Sequence, residues 1–383
     1  MIRSLEIFSG AGGLAKGLEL AGFQHVGFVE LNKHACDSLR LNFDEEKVFQ
    51  GDIKNYDLSS IDKIDIVAGG PPCQPFSLGG KHKAHDDSRD MFPFAIKAIE
   101  VLQPKAFIFE NVKGLLRKSF ADYFEYIILR LTYPCLSLSN VSDWRIHLDA
   151  LRKARKDKHC GCTYDVSFKL INAADYGVPQ IRERVIIVGV RSDLNKKWSF
   201  PSVTHTQEKL LWEQHVTGDY WRKHNIDAVI DKGISERLMK RFGIFPPSGK
   251  SWVTVRDALK NVPQPYESHG IGDHIFKDGA RVYPGHTGSY IDLPSKTLKA
   301  GAHGVPGGEN MIRYEDGTVR YFTVYEGKLL QTFPREFLIA GAWGEAMRQI
   351  GNAVPVLLAQ KIGQQLYNLL NEEVEPLLCS NFN

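Results

Sequence analysis

A thiol stands at the exit of a stiff turn, in the hexapeptide Gly69-Gly70-Pro71-Pro72-Cys73-Gln74. The apolar run Ile64-Asp65-Ile66-Val67-Ala68 before it reads as a short buried strand. Two glycines let the backbone turn sharply, and two prolines then fix the exit. Strand ends in a parallel sheet are where α/β proteins keep their sites, so a thiol held there has the placement of a nucleophile. On these six residues alone, a free cysteine that merely fills space fits equally well.

Three further sets carry candidate chemistry. Ala106-Phe107-Ile108-Phe109 reads as a strand buried on both faces, ending at Glu110-Asn111-Val112. A carboxylate at the mouth of so apolar a strand is partly desolvated, which favours its protonated form. Alternatively, the segment is simply a helix start capped by Asn111. Gln180-Ile181-Arg182-Glu183-Arg184 leads into a strand over 185–190. Arg182 and Arg184 are two apart and share a face. A pair of permanently charged donor forks suits an anion or a base edge, or a surface ion pair with Glu183. Near the end of the chain, Gly351-Asn352-Ala353-Val354-Pro355 precedes an apolar-periodic helix over 356–370, with Pro355 in its first turn. The Asn352 amide is placed to cap that helix or to bind a ligand.

The elements before Cys73 suggest what is bound. A strand over 5–8 runs into Ser9-Gly10-Ala11-Gly12-Gly13, and a helix over 14–21 follows, ended by Gly22. Glycines there let a ligand approach the backbone and the helix N-terminus. A second strand over 25–29 ends at Glu30, and a carboxylate roughly 20 residues past the glycines suits the two hydroxyls of a ribose. A third short strand closes at Gln50-Gly51-Asp52-Ile53 and offers Asp52 to an exocyclic amine such as that of adenine. The glycine spacing is not the dinucleotide pattern, and no phosphate-loop lysine follows. An adenosine-containing cofactor without a pyrophosphate fits best. The polar segment 76–89, with Lys81 and Lys83, reads as a substrate-clamping loop, and a helix over 91–102 follows it.

Composition sets bounds. The chain has 383 residues, enough for two domains, and 43% hydrophobic residues supply a core and exclude disorder. A net charge of +3 means that any nucleic-acid surface is a local patch. No apolar run is long enough to span a membrane. The N-terminus reads as a first strand rather than a signal peptide, so the six cysteines are expected reduced, in a cytoplasmic protein.

Taken in order, these motifs resemble the DNA (cytosine-5)-methyltransferase family. The matching residues are Phe8-Ser9-Gly10-Ala11-Gly12-Gly13, Glu30, Gly51-Asp52-Ile53, Pro71-Pro72-Cys73-Gln74, Glu110-Asn111-Val112 and Gln180-x-Arg182-x-Arg184. Arg320-x-x-Thr323-x-x-Glu326, Gln331-x-Phe333-Pro334 and Gly351-Asn352-x-Val354 complete the set. The resemblance implies an α/β fold, a Rossmann-like, mostly parallel sheet with helices on both faces. A smaller, irregular target-recognition domain is added to it. Residues 1–190 plus 345–383 would form the catalytic domain, and 191–344 the recognition domain and hinge.

The resemblance also assigns roles. Cys73 adds to carbon 6 of cytosine, so that carbon 5 can attack the methyl sulfonium of S-adenosylmethionine. Glu110, protonated, bonds ring nitrogen 3. Arg182 holds the base carbonyl, and Arg184 supports Glu110 or Cys73. The target base must leave the stack. Phe8 stacks on adenine, Glu30 holds the ribose and Asp52 the adenine amine. Ser9 to Gly13, Ile53, Pro72, Asn352 and Val354 line the rest. Leu31 stands where relatives often have tryptophan. Gln74, Ser77 and Lys81 face DNA, and Thr297 centres the recognition signature Pro294-Ser295-Lys296-Thr297-Leu298.

The expected partner is double-stranded DNA. A cognate restriction endonuclease would make this monomeric enzyme the modification half of a restriction–modification pair. A tRNA cytosine methyltransferase shares Pro-Pro-Cys and Glu-Asn-Val, and a silent DNA-binding homologue is the reading from another class. Between 131 and 163 the chain is longer than relatives usually are. Trp144, Leu148 and Leu151 there mark a helix face, followed by basic Arg152, Lys153, Arg155, Lys156 and Lys158. One Cys-x-Cys pair, Cys160 and Cys162, lacks a second ligand pair, so no metal is expected.

Overall fold

Side chains alternate faces along a strand, and here both faces are apolar. In β1 (Ile2–Ile7), Leu5 and Ile7 enter one core while Ile2 enters the other. The computed structural model describes residues 1–72, 90–136, 143–154, 161–300 and 310–372. Cys73, Gln74, Ser77, Lys81 and the rest of the segment 76–89 lie outside the described residues.

β2 (Phe23–Glu30), β3 (Val48–Gln50), β4 (Ile66–Gly69), β5 (Ala106–Val112), β6 (Tyr164–Asn172) and β7 (Glu183–Arg191) complete a seven-stranded sheet. The order is β3-β2-β1-β4-β5-β7-β6. The first five strands are parallel, and β7 runs antiparallel to both β5 and β6.

The helices are α1 (Gly13–Leu20), α2 (Lys33–Asn42), α3 (Phe92–Leu102), α4 (Ala121–Thr132) and α5 (Trp144–Ala154), then α6 (Gln207–His215), α7 (Asp219–His224), α8 (Lys232–Phe242) and α9 (Val255–Ala258). The last three are α10 (Val324–Leu330), α11 (Trp343–Asn352) and α12 (Val356–Asn371). α1 and α12 cover one face of the sheet through Leu14, Leu18, Leu358 and Ile362. α3, α4 and α5 cover the other through Phe92, Ile96, Tyr123, Ile127 and Leu148. No described helix is long and apolar enough to cross a membrane.

The insertion forms the expected helix, with Trp144, Leu148 and Leu151 buried. Arg152, the first residue of its basic run, pairs with Asp122 and Glu125 of α4 at 3.1 and 2.6 Å. Residues 155–160, with Cys160, lie outside the described residues.

The region after β7 is more helical than the sequence pattern suggests. α6 buries Leu210, Trp212 and Gln214, every second residue rather than every third or fourth. α7 buries the neighbours Tyr220 and Trp221, and α8 buries only Leu238. α6 and α7 lack the 3.6-residue stripe by which a helix is read, whereas α8 carries Ile234, Leu238 and Phe242 at that spacing. A small sheet of β10 (Ser289–Tyr290), β11 (Met311–Arg313) and β12 (Val319–Tyr321) follows, and a two-stranded pair, β8 (His205–Thr206) with β9 (Lys250–Ser251), precedes it.

α1 and α12 touch at Gly17. A Cβ there would lie 2.4 Å from the Ala359 Cβ and 2.6 Å from the Val356 carbonyl oxygen. Gly17→Ala must push the helices apart, at a cost of about 1–3 kcal/mol for overpacking. The expected result is a lower denaturant midpoint with an unchanged slope; an unchanged midpoint would show that the contact relaxes freely.

Candidate active site

Five parallel strands end at one rim, and a cavity of about 830 Å³ opens there. This is the crevice that a doubly wound sheet leaves where its strand order reverses, between β1 and β4. Phe8, Ser9, Gly10, Ala11, Gly13, Glu30, Leu31, Asp52, Ile53, Pro72, Glu110, Arg184, Asn352 and Val354 all line it.

After β1 the backbone turns through left-handed residues Phe8 (φ 55°), Gly10 (φ 53°) and Gly12 (φ 87°). At Phe8 this conformation is costly for a residue with a Cβ, the kind of strain that recurs at functional sites. A Cβ on Gly10 would meet nothing within 4 Å, so open space adjoins that backbone. Gly12 is off the cavity wall. Its Cβ position faces Phe43 and Leu39, at 2.8 and 2.9 Å, so this glycine serves the turn.

Glu30, at the tip of β2, is bracketed by main-chain donors. The Gly10 N–H donates to Oε2 and the Asn32 N–H to Oε1, both at 2.8 Å. The carboxylate is thereby aimed while keeping lone pairs for hydroxyl donors. Asp52, on the cavity wall, caps a short turn through the Lys54 N–H at 3.0 Å, and its second oxygen lies 4.0 Å from Lys54 Nζ. Leu31 is 68% exposed, an apolar surface on the cavity wall.

β4 ends in the stiff turn. A Cβ on Gly69 would lie 2.0 Å from the Ile7 carbonyl oxygen, so only glycine lets β4 lie against β1. Pro71 and Pro72 are then fastened from two sides. The Asn111 side-chain amide donates to the Pro71 carbonyl at 3.0 Å, and the Met91 N–H to that of Pro72 at 3.1 Å. Asn111 is thus no helix cap: it clamps the segment that leads into Cys73.

Glu110 is 8% exposed. Its setting is not purely apolar, because Arg184 stands against it, Nε 2.7 Å from Oε1. The contact lacks hydrogen-bond alignment, so Oε1 has no hydrogen-bond partner among the described residues. Antiparallel register explains the pairing. Glu110 lies opposite Ile186 and Val112 opposite Arg184, which makes Glu110 and Arg184 diagonal neighbours on one face.

Arg182 is not on the cavity wall. It is fully buried, and its Nη2 donates to the Gly351 carbonyl at 2.8 Å and its Nη1 to that of Leu298 at 3.5 Å. Burial first, then the Arg184 charge, push its pKa down, and Glu110 opposes them. Thr297 donates its hydroxyl to the Ile181 carbonyl at 2.7 Å. Asn352 is the last residue of α11 rather than a cap of α12.

This sheet order, with an adenosine-type pocket at its rim, is the Rossmann-like fold of S-adenosylmethionine-dependent methyltransferases. The chain matches the C-5 cytosine-specific DNA methylase family over residues 2–133 and 150–368 and belongs to it. The interruption falls within the insertion that holds the start of α5. The chain is 32% identical over 373 residues to the type II methyltransferase M.Sau96I of Staphylococcus aureus, covering 96% of this chain and 76% of that one. It is 31% identical over 383 residues to M.NgoMIV of Neisseria gonorrhoeae, covering 97% and 98%. A DNA modification methyltransferase encoded within an Escherichia coli prophage aligns with a TM-score of 0.60 at 22% identity, over 97% of this chain and 100% of that one, a likeness of fold. The protein is accordingly a DNA (cytosine-5)-methyltransferase that takes its methyl group from S-adenosylmethionine.

The sequence reading uses Glu6 only as a charge that marks a first strand rather than a signal peptide, and gives it no place in the site. Glu6 lines the cavity floor with 0% exposure, and neither oxygen has a hydrogen-bond partner among the described residues. Burial pushes its pKa up to about 8 from the ordinary 4.5. The native state therefore keeps a proton that the unfolded chain releases, and stability falls as pH rises from about 4.5 to about 8. The slope is roughly 1.4 kcal/mol per pH unit. Glu6→Gln should remove this decline, gaining most over wild type at pH 8; parallel curves for the two proteins across that range would contradict a buried neutral Glu6.

Proposed function

We propose that the enzyme methylates carbon 5 of a flipped-out cytosine in one duplex DNA sequence, through a covalent Cys73 adduct. The observation that carries this reading is the Glu110–Arg184 pair, facing the same cavity as the cofactor-type residues, beside the clamped turn that leads into Cys73. The cavity suits S-adenosylmethionine: open space at Gly10, a bracketed Glu30 and Asp52 on the same wall match an adenosine. Glu30 would hold the ribose hydroxyls and Asp52 the adenine amine. Phe8 and Leu31 would flank the adenine ring, with Pro72, Asn352 and Val354 lining the rest. When bound, the cofactor supplies an electrophilic methyl group.

The chain's own residues then act in turn. The Cys73 thiolate bonds carbon 6 of the ring. Glu110 shares a proton with ring nitrogen 3, where negative charge develops, and Arg184 stabilises Glu110 and reaches the base carbonyl. Carbon 5 becomes an enamine carbon and takes the methyl group. Loss of the carbon 5 proton to a base then expels Cys73 and restores the ring. A stacked base offers no path to carbon 6, so the cytosine must leave the duplex.

In this reading 1–190 plus 345–383 carry catalysis and 191–344 carry recognition, with Gln74, Ser77, Lys81 and Thr297 toward DNA. Type II methyltransferase relatives support a place beside a cognate restriction endonuclease. Pocket and recognition segment lie in one chain, which supports a monomer, and we place it in the cytoplasm.

The test is transfer of labelled methyl from S-adenosylmethionine to unmethylated duplex DNA, with tRNA in parallel. Label should appear in DNA at carbon 5 and vanish in Cys73→Ala. Glu110→Gln should lower the single-turnover rate about 10²- to 10⁴-fold, the range of a proton-sharing group. Label in tRNA alone, or transfer that survives Cys73→Ala, would overturn the reading.

A further inference from the structure

Arg182 belongs to a seam rather than to the cavity. The segment 294–300 lies along residues 179–182. The Ile181 N–H donates to the Ser295 carbonyl at 2.8 Å, and the Ser295 N–H to that of Pro179 at 2.9 Å. Leu298 is then tied at both of its main-chain groups. Its N–H donates to Gln180 Oε1 at 3.1 Å, and its carbonyl accepts from Arg182 Nη1.

The other arm of the guanidinium ends at α11. Gly351 is so close to the segment that a Cβ on it would lie 2.6 Å from the Ala300 nitrogen and 2.6 Å from the Lys299 carbonyl carbon. Gln331 Nε2 donates to the Ile350 carbonyl at 2.6 Å, and the Arg182 Nη2 bond to Gly351 caps the same helix end. The next residue, Asn352, is on the cavity wall.

A buried guanidinium is costly unless its charge is met. Among the described residues no carboxylate bonds it. What meets it is the negative end of the α11 dipole and two carbonyls. Arginine suits such a place because one planar fork serves two acceptors at fixed angles, which a lysine ammonium on a flexible stem does not.

The geometry points to Arg182 as a positioning residue that never touches the base: it locks segment 294–300 to the end of α11, holding the DNA-facing segment and the cofactor wall at one separation. This rests on the function proposed above. It assigns the base carbonyl to Arg184 alone, and it makes both ligands depend on one buried side chain.

The test compares Arg182→Met with Arg184→Met in the full chain. Three quantities are measured: affinity for a duplex bearing the mapped target site, affinity for S-adenosylhomocysteine by calorimetry, and the single-turnover rate with both substrates saturating. Arg182→Met should weaken both affinities, each roughly ten- to a hundredfold for a lost charge-assisted bond, and leave the saturating rate within a few-fold. Arg184→Met should do the reverse. Arg182→Lys keeps the charge and one bond, and should restore part of both affinities together.

Should Arg182→Met fail to fold, Gln180→Met loosens the other tie on Leu298 and should weaken duplex binding with the saturating rate kept. Wild-type affinities with a lost saturating rate in Arg182→Met, or unchanged duplex binding in folded Gln180→Met, would overturn the proposal. The affinity measurements need no turnover. A wild type that binds both ligands and transfers no methyl would defeat the proposed reaction and leave the seam to be judged on binding alone.

Discussion

The antiparallel register of β7 against β5 is the constraint on which the site depends. It places Arg184 diagonally from Glu110 on one face of the sheet, and it fixes that face toward the cavity. A one-residue slip would turn every side chain of β7 to the other side and separate the pair. A buried ion pair is weak evidence of stability, since desolvation offsets most of the attraction. This one lacks even hydrogen-bond alignment and leaves Glu110 Oε1 without a hydrogen-bond partner among the described residues. Such an arrangement is poor as a staple and well suited to meeting a base edge.

The same register extends outward. Residues 180, 182 and 184 share one parity, yet Gln180 and Arg182, which precede β7, are taken into the interior seam while Arg184 lines the cavity. On the same strand, Asn111 next to Glu110 clamps the Pro71-Pro72 turn through the Pro71 carbonyl. The carboxyl, the guanidinium and the entry to the Cys73 segment are therefore all referred to β5 and its neighbour. Cofactor-type groups are referred to β1, β2 and β3 in the same way, by their places at strand ends. Chemistry and cofactor meet because all five parallel strands end on one rim.

Much of this was legible in the sequence because it lies at strand ends, where apolar runs stop at glycine or at a charge. Glu30, Asp52, Glu110 and Arg184 were all read that way, and all line the cavity. What was not legible depended on what packs where. Spacing gives Arg182 and Arg184 a common face but cannot say that α11 and Leu298 cover one of them. Gly12 shares the loop of Gly10, yet only the position of Phe43 shows that it serves the turn. α6 stayed hidden because alternate residues are buried, including Gln214, whose amide serves the Asp292 carbonyl. Glu6 was visible as a charge in a strand, but that it is orphaned under the cavity is a fact of packing.

The central claim is a covalent bond between Cys73 and the target ring, formed beside Glu110. The most direct measurement uses duplex DNA carrying 5-fluorocytosine, incubated with S-adenosylmethionine and then denatured. Fluorine at carbon 5 cannot leave as a proton does, so the adduct should persist, and peptide mass analysis should place the nucleotide on Cys73. No denaturation-stable adduct under conditions where ordinary cytosine is methylated, or an adduct on another residue, would contradict the account.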